Sequence, residues 1–153
     1  MLHVNSESDA LIEEDTMERA IEVLVADLLA AWNSHDVERV ATFYAPDYLG
    51  EDVGQGQPQH GPQGRIRVLT SYIRAFPDLH FTGEAIVQDS RAALSWTMTG
   101  THHGTLMRIP PTGRRIRVQG VSLLTIEDGK VTHGLNVWDT AGLLRALGLL
   151  PEL

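Results

Sequence analysis

The chain has 153 residues, 42% of them hydrophobic and 21% charged, which is enough for one domain with a buried core. It has no cysteine, which excludes disulfides and thiolate chemistry, and a net charge of −8. That charge disfavours nucleic acid and anionic membranes as partners, because phosphate binding needs clustered Lys and Arg. There is no apolar run of the roughly 18 residues that crossing a membrane requires, and the opening MLHVNSESDALIEEDTMER lacks the basic and apolar regions of a signal peptide, so the cytoplasm is the expected compartment.

Residues 1–15 read as a disordered acidic lead-in and residues 16–153 as a single domain. Ile21, Leu24, Val25, Leu28, Leu29 and Trp32 recur at helical spacing and predict a helix over 16–33, with Thr16 as its cap. After the break at Ser34-His35, Asp36 caps a short helix over 37–44 that Pro46 closes. The stretch PDYLGEDVGQGQPQHGPQG reads as a long loop, and such loops are often functional. Ile66, Leu69, Tyr72 and Ile73 predict a third helix over 62–75, ended by Phe76-Pro77.

The period then changes to two. Strands are expected over 79–88, 92–103, 116–126 and 131–138, with tight turns at Asp89-Ser90 and Asp128-Gly129 and a longer Pro-Pro loop over 104–115. A short helix follows from Thr140. Three helices and then a meander of strands is an α+β pattern: a curved, cone-shaped antiparallel β-sheet with three N-terminal helices enclosing a pocket. Gly100, Gly120 and Gly134 mark bends within the strands. Arg65, Arg67, Arg74, Arg108, Arg114, Arg115 and Arg117, set among Gly and Pro, read as solvated.

Asp139 lies between the last strand and the last helix. Strand parity groups it with Val131, His133, Leu135 and Val137, the more apolar and therefore inward set. An inward carboxylate there suits proton transfer; the competing reading is an N-cap of the terminal helix. His102 and His103 fall on opposite strand faces, so only one looks inward. His133 is about 20 Å along the strand from Asp139, too far to pair with it. No HxH or HExxH spacing and no GxSxG appears, so no metal site and no serine nucleophile are expected. Trp32, Tyr48, Tyr72, Phe76, Trp96, Met98 and Asn136 are the candidates for lining a substrate cavity, with plain core as the alternative for the apolar ones.

The segments AWNSHD, FYAPDY, AFPDLHF, WTMTGTHHGTLMRIPPTGRRIRVQG, IEDGKVTHGLNVWD and LLRALGLLP occur in an order that resembles the SnoaL-like polyketide cyclases, over about residues 16–151. The resemblance implies a nuclear transport factor 2-like fold. It also implies an intramolecular aldol-type cyclisation, or a related isomerisation or elimination, of a small apolar carbonyl compound without cofactor or metal. Asp139 would match the family's acid/base and His102 the histidine of its GTHxG motif. Family members commonly carry a His after the PDY segment, where this chain has Leu49-Gly50-Glu51-Asp52, and a Glu and Trp where it has His133-Gly134-Leu135. Alternatives are hydrolysis or epoxide opening in the same pocket, with Glu51 as a second acid, or a non-catalytic ligand-binding module. A sheet covered on one face leaves the other for a second copy, so a homo-oligomer, most simply a dimer, is expected.

Overall fold

The computed structural model describes residues 6–153. The first helix, α1 (Ser6–Ser34), starts well before the expected Thr16. Residues 6–15 are therefore helical rather than a structureless lead-in, while residues 1–5 lie outside the described residues. This first part of α1 is exposed all round; the helix meets the core only through Ile21, Val25, Leu28 and Ala31, on one stripe. Burying a side chain such as Leu28 contributes roughly 1.5–3 kcal/mol. After His35, at φ 60°, Asp36 caps α2 (Val37–Ala41) by accepting from the Arg39 N–H at 3.1 Å.

The expected loop over 46–64 is the main departure from the sequence reading. It holds β1 (Tyr44–Asp52) and β2 (Gln59–His60) before α3 (Gly61–Ala75) begins. Pro46 does not close a helix; it sits where the β1 pairing shifts register, between Tyr44 and Leu49, and proline is tolerated at such irregularities because no ladder N–H is needed there. The remaining strands fall close to expectation: β3 (His80–Gln88), β4 (Arg91–Thr101), β5 (Arg115–Glu127) and β6 (Lys130–Trp138), followed by α4 (Thr140–Ala146). Asp128-Gly129 has both φ angles positive, as a two-residue hairpin turn of this kind requires. In the 102–114 loop the tight turn falls at Met107-Arg108, both at positive φ, and not at Pro110-Pro111.

The six strands form one open sheet in the order β2-β1-β6-β5-β4-β3. β3 to β6 are an antiparallel meander, as expected, but β1 runs parallel to β6 because α3 and β3–β5 intervene between them in the chain. α1 lies over β3 and α3 over β1, so helices and curved sheet enclose a space between them. Among the described residues no helix is long and apolar enough to cross a membrane.

Candidate active site

The enclosed space is a cavity of about 100 Å³. α1 contributes Leu28, Leu29 and Trp32; β1 contributes Tyr44, Tyr48 and Asp52; α3 contributes Arg65, Val68 and Tyr72; and the meander contributes Phe81, Leu94, Trp96, Met98, Ser122, Leu124, Asn136 and Trp138. Trp32, Tyr48, Tyr72, Trp96, Met98 and Asn136 thus stand together on the cavity wall. Phe76 does not: it is buried behind Tyr72, with its ring 5.5 Å from that of His102.

Strand parity fails on β6 for a local reason. The pairing of β5 with β6 changes register between Thr125 and Ile126, which leaves one extra residue, Thr132, on β6. A bulge of one residue turns every later side chain to the opposite face. Val131 is buried as expected, but beyond it Gly134, Asn136 and Trp138 turn inward and Val137 is exposed. Asp139 is exposed at the start of α4, where its carboxylate accepts from the Gly142 N–H at 2.8 Å. It is a helix cap and does not reach the cavity.

His102 is fully buried beneath the 102–114 loop and also away from the cavity. Its Nδ1 accepts from the Thr112 N–H at 3.1 Å and lies 3.0 Å from the Thr112 hydroxyl, which makes it a latch for that loop. Burial pushes its pKa below the ordinary histidine value, so the ring is neutral. His103 is exposed. Glu51 faces outward and pairs with His133 at 3.0 Å on the surface, so it is no partner for chemistry inside.

Two charged groups do stand on the cavity wall, and sequence reasoning missed both. Asp52 continues the inward series Tyr48, Gly50, Asp52 of β1. That period-two signal is present in the sequence but hidden by Pro46 and the glycines that follow. Both Asp52 oxygens lie 3.1 Å from the Trp138 indole N–H, and one also accepts from the Gly54 N–H at 3.3 Å. Arg65 is buried, not solvated, because Arg65, Val68, Leu69 and Tyr72 share one helical face. Its guanidinium lies over the Trp32 ring at 4.9 Å and near Tyr44 at 5.7 Å.

Three hydrogen bonds form one chain across the sheet. Trp96 Nε1 donates to Ser122 Oγ at 3.0 Å, Ser122 donates to Asn136 Oδ1 at 2.6 Å, and Asn136 Nδ2 donates to the Glu51 carbonyl at 3.4 Å. Tyr48 is pushed up to about 12 by burial, and Tyr72 to about 12 by burial and by the nearby Asp52 charge, so both phenols keep their protons. Gly134 and Gly50 are there for the Tyr48 phenol: a Cβ on either would stand 2.7 or 2.6 Å from its oxygen. The wall is therefore aromatic, with one carboxylate, one guanidinium and a few neutral hydroxyl and amide groups.

Residues 22–147 match the family model for SnoaL-like polyketide cyclases. The nogalonic acid methyl ester cyclase of Streptomyces nogalater is 30% identical over 128 residues, covering 79% of this chain and 92% of that protein. The aklanonic acid methyl ester cyclase DnrD of Streptomyces peucetius is 29% identical, covering 82% of this chain and 88% of that one. Among solved structures, AclR from Streptomyces galilaeus superposes with a TM-score of 0.79 at 29% identity, covering 90% of this chain and 89% of its own. The chain belongs to the SnoaL-like polyketide cyclase family.

Proposed function

We propose that this protein is a polyketide cyclase that works by proton transfer inside the cavity, with Asp52 as the acid/base. The observation that carries the reading is the placement of the carboxylates. Asp52 is the one on the cavity wall, held by an indole N–H that neither supplies nor removes a proton, whereas Asp139 is occupied at a helix terminus outside. The Trp138 N–H holds the Asp52 carboxylate in place on the cavity wall, within reach of a proton on a bound substrate.

Asp52 takes a proton from a carbon flanked by carbonyls in the substrate. The enolate carbon attacks a second carbonyl carbon of the same molecule, a carbon–carbon bond forms, and the oxygen of that carbonyl takes up the electron pair. Protonated Asp52 or water returns a proton to this oxygen, so the net change is an isomerisation that uses no cofactor. Without the second carbonyl in reach, the same enolate is reprotonated elsewhere and the reaction is a plain isomerisation. The Tyr72 phenol, which stays protonated, is the neutral donor placed near Asp52 for the developing oxyanion. At about 100 Å³ the cavity is smaller than the roughly 300–1,000 Å³ of drug-sized sites, so a fused-ring substrate enters with its reacting end only.

Aklanonic and nogalonic acid methyl esters, after which the relatives are named, and the corresponding free acids are the compounds to assay. Asp52→Asn should lower turnover by roughly 10²–10⁴-fold, the usual worth of a positioned proton-transfer group, with the fold intact by circular dichroism. Wild-type protein inert on all four compounds, or an Asp52→Asn variant with unchanged turnover, would contradict the reading. We also propose that the chain is a homodimer through the outer sheet face, where exposed Val121 pairs across strands with exposed Val137 and Leu123 with Leu135.

A further inference from the structure

Arg65 is the buried charge that proton transfer at Asp52 leaves unused. It is 9% exposed, and of its five N–H donors one reaches Gln59 Oε1 at 2.8 Å, with the Tyr44 phenol as the other side-chain oxygen in reach. Its Nε–H is buried with no partner. Among the described residues the ion pairs are Asp15–Arg19 and Glu51–His133, so no carboxylate is within pairing distance of Arg65. Burial opposes its charge, but the phenols of Tyr44 and Tyr48, a side-chain hydrogen bond to Tyr44 and, more weakly, Asp52 outweigh that, and the guanidinium stays charged.

A buried, unpaired guanidinium costs on the order of several kcal/mol. A purely structural arginine recovers this by giving its donors to backbone carbonyls or to a carboxylate, and this one has only a side-chain amide and a phenol, with its Nε–H unpartnered. The Trp32 ring, 4.9 Å away, steadies the planar group without consuming its in-plane N–H edges. Arg65 lines the cavity with donors that the fold leaves unpaired, and a planar guanidinium with spare donors fits a planar anion. The walls around it are aromatic, so the rest of the ligand is apolar and flat.

We propose that Arg65 seats a carboxylate carried by the substrate, so that the cavity takes a fused-ring carbonyl compound as its free acid rather than as a neutral ester. The proposal rests on the cavity being the substrate site, as the proton-transfer reading also requires, and it gives this chain a preference different from the esters named for its relatives. The net charge of −8 gives no long-range attraction to an anion, so the preference comes from this one local group.

Equilibrium binding tests it apart from chemistry. 2-Naphthoate and methyl 2-naphthoate, at a pH where the acid is ionised, are titrated calorimetrically into wild type, Arg65→Met, Arg65→Lys and Asp52→Asn. Wild type should bind the acid roughly ten- to hundredfold tighter than the ester, the worth of charge-assisted hydrogen bonds. Arg65→Met should lose that difference by weakening the acid alone, and its retained ester binding shows that the cavity is still formed. Arg65→Lys, which keeps the charge and loses the fork, should fall between and serves if the Met variant does not fold. Asp52→Asn should keep the full preference for the acid while turnover is lost, so failure of the anchor and failure of the base are read separately. Equal or tighter binding of the ester by wild type, no binding of the acid, or an acid preference that survives in Arg65→Met overturns the proposal. A wild type without acid preference, together with an Arg65→Lys variant that binds both probes normally but turns over slowly, assigns Arg65 to the developing oxyanion instead and equally overturns it.

Discussion

Asp52 and Asp139 are both carboxylates at strand ends, and what separates them is what lies in front of each. Asp139 meets the free N–H groups of α4 and caps it; Asp52 meets an indole N–H and an apolar cavity. The same contrast applies to His102, which the family motif marks but which points into the core. Its pKa is lowered by burial, so its contribution to stability is complete above its ordinary value of 6.5 and is lost as pH falls through the lowered value in the fold. Urea denaturation should therefore show stability declining as pH falls below 6.5, with part of that decline absent in His102→Gln. His102→Gln should also lose about 1–3 kcal/mol at neutral pH, through the disturbed Thr112 bonds, with turnover essentially kept. A variant with the wild-type pH slope and no turnover would assign His102 to chemistry rather than to the loop.

At the scale of elements, the helix over 61–75, the meander and the terminal helix were legible because each repeats its period over many residues. β1 was not, because Pro46 and the glycines at 50, 54 and 56 imitate a loop; the strand exists because β6 offers a parallel partner that no local pattern announces. The inward face of β6 was misread for a related reason, since a single extra residue at Thr132 reverses parity and leaves no mark in the sequence. Missing β1 hid Asp52, and reading the arginines by their Gly and Pro neighbours hid Arg65, although the i, i+4, i+7 spacing of Arg65, Leu69 and Tyr72 was there to use. Gly120 shows how closely the sheet supports the site: a Cβ there would stand 2.3 Å from Trp96 and 2.7 Å from Trp138, and Trp138 holds Asp52. Gly120→Ala should therefore cost roughly 1–3 kcal/mol by overpacking, and lower turnover as Trp138 shifts. An alanine variant with wild-type melting and turnover would show that the two indoles do not position Asp52.

At the scale of the whole molecule, helices close one side of the sheet and leave the other to solvent or to a second copy. Light scattering at micromolar concentration should give twice the 16.9 kDa chain mass, and Val137→Lys, which charges the outer face opposite Val121, should return it to the monomer. A wild-type monomer would contradict the dimer without touching the cavity. Within each chain the proposed chemistry turns on one assignment, that the cavity and not the strand–helix corner holds the acid/base. The most direct test is turnover of Asp52→Asn and Asp139→Asn side by side in the cyclisation assay. Asparagine caps a helix about as well as aspartate, so Asp139→Asn should match wild type in both stability and rate. Asp52→Asn should keep its fold and lose roughly 10²–10⁴-fold in rate. The reverse pattern, an active Asp52→Asn and an inactive, folded Asp139→Asn, would contradict the account and move the chemistry to the corner between β6 and α4.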